Sequence, residues 1–266
     1  MELLEFFSYL ALGAGVGLLA GLLGVGGGAV IVPVLTFFFT AHGFLPEYIQ
    51  HLALGTSLAS ILFTSLSSVR SHHGRGAVDW RALRAITPGI LLGTFFGAWL
   101  ASHMSGRLLK LIFVCFAYFI VLQMLLNVKP KPGRELPGAA GMSVAGGITG
   151  MLSSFVGIGG GAVSVPFLTW CNLPLRTVIG TSAAIGFPIA LAGTAGFVVN
   201  GLRASGLPPL SLGFVYLPAL LGISIASVLT APLGAKLAHS LPVSKLKKLF
   251  ALLLFTVATK ILIGLL

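Results

Sequence analysis

Acidic residues are scarce in this chain. Five of its 266 residues are Asp or Glu, and charged residues of all kinds make up 8%, against roughly a quarter in a soluble domain. The five are Glu2, Glu5, Glu47, Asp79 and Glu135, and each falls in a terminus or a short polar connection. No carboxylate lies inside an apolar stretch. That weighs against a carboxylate proton relay and against a carrier of cations, because both keep Asp or Glu within the helix bundle. Cysteine is scarce as well: Cys115 and Cys171 have no spacing that implies a disulfide or a metal centre, and both read as ordinary buried side chains. The signatures of soluble enzymes are missing. His72 and His73 are adjacent in a polar loop rather than paired on a helix face, and no nucleophile elbow occurs. The chain is therefore expected not to be an enzyme, with no catalytic residue, no bound metal and no cofactor.

What is abundant is apolar sequence. Hydrophobic residues make up 56% of the chain, with 36 glycines and 19 phenylalanines, and the mean hydropathy is +1.05. These values describe an integral membrane protein whose small residues let helices approach closely and whose outer surface meets lipid. The formal charge of +11 does not mark a nucleic-acid binder, because the basic residues sit in short loops between apolar blocks.

Two of those blocks are too long for one crossing. Residues 6–46 and 136–175 carry no charge, and each is about twice the ~20 residues that span the hydrocarbon core. Both contain the same phrase. Gly24-Val-Gly-Gly-Gly-Ala-Val-Ile-Val-Pro33 returns as Gly157-Ile-Gly-Gly-Gly-Ala-Val-Ser-Val-Pro166. A bend is expected at each glycine cluster, and the run up to each proline is expected to start a new short helix.

Loop charge chooses between two topologies. If every block crosses once, the two faces collect net charges of +4 and +6, which discriminates nothing. If each oversized block enters and returns, one face holds residues 69–84, 128–137, Arg176, Lys236, Lys245, Lys247 and Lys248, for a net +10. The other holds Glu2, Glu5, Glu47, Arg107, Lys110 and Arg203, for a net of zero, with Lys260 near the C-terminal end. The positive-inside rule favours the second arrangement. The expected fold is an all-α polytopic membrane protein with two homologous repeats in inverted orientation. Each repeat has three full crossings plus a glycine-broken pair, re-entrant or made of two short legs. Residues 1–127 form the first repeat, 128–137 a basic linker and 138–266 the second repeat.

The candidate site follows from the duplication. Gly24, Gly26, Gly27 and Gly28, with Gly157, Gly159, Gly160 and Gly161, let the backbone leave the helix and present N–H groups to a ligand. The helices that begin there and run through Pro33 and Pro166 would aim the positive ends of their dipoles at it. A second duplicated phrase, Gly55-Thr56-Ser57 and Gly180-Thr181-Ser182, offers hydroxyls that donate to an oxyanion or cap a helix end. The ligand expected from donors without buried charge is a small anion. Proton coupling would pass through the substrate's own protonation or through His51, a lone histidine at the mouth of its segment.

The doubled Gly-x-Gly-Gly-Gly-x-x-x-x-Pro phrase, followed each time by Gly-Thr-Ser, resembles the sulfite exporter TauE/SafE family, also called the 4-toluenesulfonate uptake permease family. The resemblance covers essentially the whole chain and includes the basic linker around Lys129–Arg134. It also includes Gly97-Ala-Trp-Leu-Ala, echoed by Gly234-Ala-Lys-Leu-Ala. It implies a multi-pass permease of the bacterial inner membrane that moves sulfite, sulfonates or related small anions. It places the substrate-binding role on the residues of the two doubled phrases. One departure is Ser154 where the first repeat has Gly21. A passive anion channel and a permease for a non-sulfur organic anion share the same features, and a membrane-embedded enzyme or a non-transporting scaffold is a more distant alternative that the sparse catalytic chemistry disfavours. The sequence leaves the exact anion, the direction, the coupling proton or ion, and the oligomeric state open.

Overall fold

The computed structural model describes residues 3–23, 27–126, 135–237 and 243–265. Gly24 and Gly26 of the first phrase and the Lys129–Arg134 run of the linker lie outside the described residues. The first half forms α1 (Leu3–Leu23), α2 (Gly28–Ala41), α3 (Ile49–His73), α4 (Trp80–Ser102) and α5 (Gly106–Leu126). The second half forms α6 (Ala139–Val156), α7 (Gly161–Trp170), α8 (Leu175–Gly201), α9 (Leu217–Leu237) and α10 (Val243–Ile263). A two-residue hairpin, β1 (Ser211–Leu212) with β2 (Val215–Tyr216), precedes α9. Among the described residues, seven helices are long and apolar enough to cross a membrane: α1, α3, α4, α5, α6, α8 and α9. The chain is a polytopic all-α membrane protein. Helices satisfy every backbone group internally where no water is available to do so.

Both oversized blocks break where the glycines stand. α1 ends at Leu23 and α2 starts at Gly28; α6 ends at Val156 and α7 starts at Gly161. The legs are uneven rather than two equal halves. α1 and α6 have 21 and 18 residues, whereas the legs that follow have 14 and 10. α2 runs back along α1: the His42 ring just past its end meets the Glu5 carboxylate at 2.6 Å, and Phe38 packs edge-on against Tyr9.

The connections sort onto two ends of the bundle. At the first end, which we call end A, the turn after α2 lies under the β-hairpin. There Phe44 and Tyr48 pack on Tyr216 and Phe214, and Arg107 reaches the Leu265 carbonyl. At end B the α3–α4 turn meets the start of α8, where the Asp79 amide donates to Thr181 Oγ1 at 2.9 Å. Asp79 also caps α4, its carboxylate accepting from the amides of Arg81 and Ala82, an arrangement worth about 1 kcal/mol.

α3 and α8 are the centre of the bundle. About 72% and 67% of their spans are buried, against 33–44% for the other five, and they pack on each other. Around them α1 lies on α9, and α4 on α6. The α4–α6 pair shows why. Gly89, Gly93 and Gly97 recur every fourth residue, and a Cβ on Gly93 would stand 2.2 Å from the Gly147 carbonyl oxygen. Only backbone against backbone fits there, as in the small-residue packing of membrane helices. Large apolar side chains such as Leu92, Leu126 and Leu229 face outward, where lipid would meet them. Cys115 is among the exposed residues, contrary to the expectation from sequence, while Cys171 is buried. Cys115 lies on α5, whose outer face is apolar and would meet lipid.

Candidate anion site at the glycine breaks

Each returning helix starts from a glycine in the left-handed region. Gly27 has φ 71° and ψ −12°, and Gly160 has φ 76° and ψ −8°, a conformation that side chains disfavour. The chain turns so tightly there that each glycine lies against the middle of the incoming helix, Gly27 on Val16 and Gly160 on Thr149 and Ser153. The first helical bonds run to the capping carbonyls. Val30 and Ile31 donate to Gly27, and Val163 and Ser164 donate to Gly160. The amides of Gly28 and Ala29, and of Gly161 and Ala162, precede that first turn and have no carbonyl within their own helix to meet. Two positive helix ends therefore stand deep in the bundle.

The two breaks touch. A Cβ added to Gly28 would lie 2.1 Å from the Gly157 carbonyl oxygen and 2.9 Å from Ile158 Cα. Gly157, itself left-handed at φ 69°, ends α6. The hydroxyl of Ser57 on α3 donates to the Gly157 carbonyl at 2.7 Å, so the first half of the chain holds the break of the second half.

Beside the second break is a cavity little larger than one water molecule. Thr64, Ser65 and Ser68 of α3 line it with Ala20 of α1, with Gly159, and with Ser182, Ala183 and Gly186 of α8. Its polar groups are hydroxyls. Ser182 Oγ lies 2.8 Å from Ser164 Oγ, and Thr64 Oγ1 lies 2.7 Å from Ser227 Oγ. Ser68 is 2% exposed, and its hydroxyl has no hydrogen-bond partner among the described residues. No charged side chain lines the cavity. The chemistry its wall offers is donation from hydroxyl groups.

The structure divides the Gly-Thr-Ser phrases between two tasks. Gly55 lets the Phe214 carbonyl approach α3, and Thr56 Oγ1 accepts from the Tyr216 amide at 2.9 Å. Gly180 and Thr181 do the same for the Ala77 carbonyl and the Asp79 amide. Glycine and threonine of each phrase thus clamp the loop that leads into α9 or α4. Ser57 and Ser182 are the members that face the breaks. Pro33 and Pro166 lie inside α2 and α7 and do not line the cavity. His51 packs on Phe214, with its two ring nitrogens each 3.1 Å from a carbonyl, of Glu47 and Met104, so it belongs to end A rather than to the breaks.

The lining residues Thr64, Ser65 and Ser68 were not reached from the repeats, because α8 has no matching hydroxyls. A signal was present: Ser57, Ser60, Thr64 and Ser68 recur at intervals of three and four and form one stripe along α3.

The family model described as sulfite exporter TauE/SafE matches residues 9–261. A "probable membrane transporter protein" of Haemophilus influenzae is 40% identical over 250 residues, covering 94% of this chain and 95% of its own length. Proteins with the same description from Methanocaldococcus jannaschii and Bacillus subtilis are 29% and 28% identical. They cover 84% and 87% of this chain, and 82% and 89% of their own lengths. No solved structure matches the chain.

Proposed function

Because the chain belongs to the sulfite exporter TauE/SafE family, we propose that it is a secondary transporter that carries small anions across the bacterial inner membrane. The cargo is sulfite, a sulfonate or a related sulfur-containing oxyanion. The observation that carries this reading is the junction of the two breaks. Two left-handed glycine caps, Gly27 and Gly160, start two helices where the breaks meet, and Gly159 of the second break lines a cavity whose described wall carries hydroxyls and no charged side chain. An oxyanion has several acceptor oxygens and takes such donors well. A buried Arg or Lys would hold it more tightly but would be expensive within the membrane. Gly26, Gly28, Gly159 and Gly161 serve by keeping the backbone bare, and Ser57 and Ser182 by supplying hydroxyls.

In this reading residues 1–127 and 138–266 are inverted repeats joined by the basic linker. The packing supports it: α1 lies on α9 as α6 lies on α4, and α3 and α8 meet at the centre, as an axis in the membrane plane would relate them. The end B loops carry the basic residues and face the cytoplasm, whereas the 42–48 turn faces the periplasm. A carrier is favoured over a passive channel because the path toward end A is filled. Phe39, Leu52, Leu54 and Phe197 are fully buried there, and the cavity lies on the end B side of them. Rocking one repeat against the other would open the site alternately.

A thermal-shift screen of purified protein with sulfite, thiosulfate, sulfate, sulfonates and carboxylates tests the site. At least one sulfur oxyanion is expected to stabilise the protein, and Gly27→Val and Gly160→Val are each expected to abolish that stabilisation. Retained anion-dependent stabilisation in both variants overturns the proposal.

A further inference from the structure

Away from the breaks, basic side chains line a bowl of about 640 Å³ at end B, open on one side. It is lined by Arg75 and Ala77 of the α3–α4 turn, by Pro174, Arg176 and Thr177 at the start of α8, and by Lys236 in the last turn of α9. No carboxylate offsets them. Among the described residues the single ion pair joins His42 to Glu5, at the opposite end. The nearest acid in sequence, Asp79, turns its Oδ1 to the amides of Arg81 and Ala82 and does not line the bowl. Arg75 meets only a neutral group, the Ser71 hydroxyl.

The bowl is built rather than loose. The Ala77 carbonyl is seated against Gly180, and the Asp79 amide is bound to Thr181, so the loop bearing Arg75 is held against α8. The first helical bond of α8 runs from the Val178 amide to the Pro174 carbonyl at 2.9 Å. The amides of Arg176 and Thr177 precede it, at the positive end of a 27-residue helix.

We propose that this bowl is a second anion site, separate from the cavity at the breaks, and that it takes a multiply charged oxyanion of the phosphoryl class. Three cations with no ion-pair partner among the described residues favour a dianion over a monoanion. Two guanidinium forks and one ammonium match the tetrahedral oxygens of a phosphate group. The bowl is far wider than the central cavity, so its ligand is not limited to the size of the cargo. Its ligand also ties together loops from both halves of the chain. A phosphate group in this position comes from solution or from the headgroup of an anionic lipid, since end B carries the basic loops that face a membrane surface.

The test uses the full-length protein in discs of neutral phosphatidylcholine at low ionic strength, where exposed charges are little screened. One arm titrates inorganic phosphate; the other replaces part of the lipid with phosphatidylglycerol. A saturable rise in melting temperature is expected in at least one arm. Arg75→Gln/Arg176→Gln/Lys236→Gln is expected to weaken it by roughly tenfold or more, about 1.4 kcal/mol. Arg81→Gln/Arg84→Gln, which removes charge from the same end outside the bowl, is expected to leave it unchanged. A rise with phosphate alone identifies a soluble ligand, and a rise with phosphatidylglycerol alone identifies a headgroup. Gly160→Val is expected to keep this response, which separates the bowl from the site at the breaks. No rise in either arm, or a rise of equal strength in the triple variant, overturns the proposal.

Discussion

The capping glycines of the two breaks share a conformation and differ in surroundings. They differ by 5° in φ and 4° in ψ, at 71° and −12° against 76° and −8°. Around the first break stand Val16, Ala20, Gly21 and Ile31; at the equivalent places around the second stand Thr149, Ser153, Ser154 and Ser164. Every one of the four positions is apolar or bare in one half and hydroxyl-bearing in the other. The hydroxyl stripe of α3 also runs toward the second break, whereas α8 carries Ile185, Ile189 and Gly193 at the places that correspond to Ser60, Thr64 and Ser68. The doubled phrase gives two helix starts of the same cap geometry, and the residues around them give one of the two a polar side. In the reading proposed above, the first break is chiefly a wall and the second is where the anion is held.

The largest effect is expected where the breaks touch. Gly28→Val would press a branched side chain into the Gly157 carbonyl and force the Ser57 bond open. Overpacking alone costs about 1–3 kcal/mol, and the lost hydrogen bond adds about 1 kcal/mol. Loss of folded, monodisperse protein is expected. Gly15→Ala, on α1 with open space at its Cβ, is expected to be neutral or slightly stabilising by comparison. Equal melting temperatures for the two variants would mean that the breaks do not meet.

A smaller effect sharpens the difference between the breaks. Ser182→Ala is expected to cost about 1 kcal/mol of stability and to reduce anion-dependent stabilisation severalfold. Ile31→Ala, beside the other break, is expected to cost about 2–4 kcal/mol by leaving a cavity while leaving the anion response intact. If Ile31→Ala weakens the response as much as Ser182→Ala, the polarity of the second break is not what holds the ligand.

The smallest effects should be alike. Thr56→Val and Thr181→Val each remove one acceptor from a loop amide at 2.9 Å, so each should lower stability by about 1 kcal/mol. Calorimetry of the two variants gives the comparison; a large inequality would mean that the two loop clamps are not equivalent.

Much of the arrangement was legible before any coordinates. Block length and loop charge together require the chain to turn back near Gly24–Gly28 and Gly157–Gly161, and the contact of Glu5 with His42 shows such a return. The work of Thr56 and Thr181 was not legible, because their partners are 160 and 102 residues away in the chain and no local pattern announces them. The hydroxyl stripe was written in the sequence but could not be interpreted there. A serine or threonine in a membrane helix often bonds back to the carbonyl one turn earlier. Ser60 and Thr64 do so, to Thr56 and Ser60, whereas Ser68 does not. Only the packing of α3 against α8 separates the two cases. Ser164 and Thr149 stood opposite Ile31 and Val16 in the repeats; attention to identity between the phrases hides what their differences report.

The most direct test of the account is sulfite flux in proteoliposomes reconstituted with wild-type protein and with Ser164→Ala/Ser182→Ala. The account predicts wild-type flux above that of protein-free liposomes, and a drop of about tenfold or more in the double variant, each decade being about 1.4 kcal/mol. Equal flux through a variant lacking both hydroxyls would contradict it.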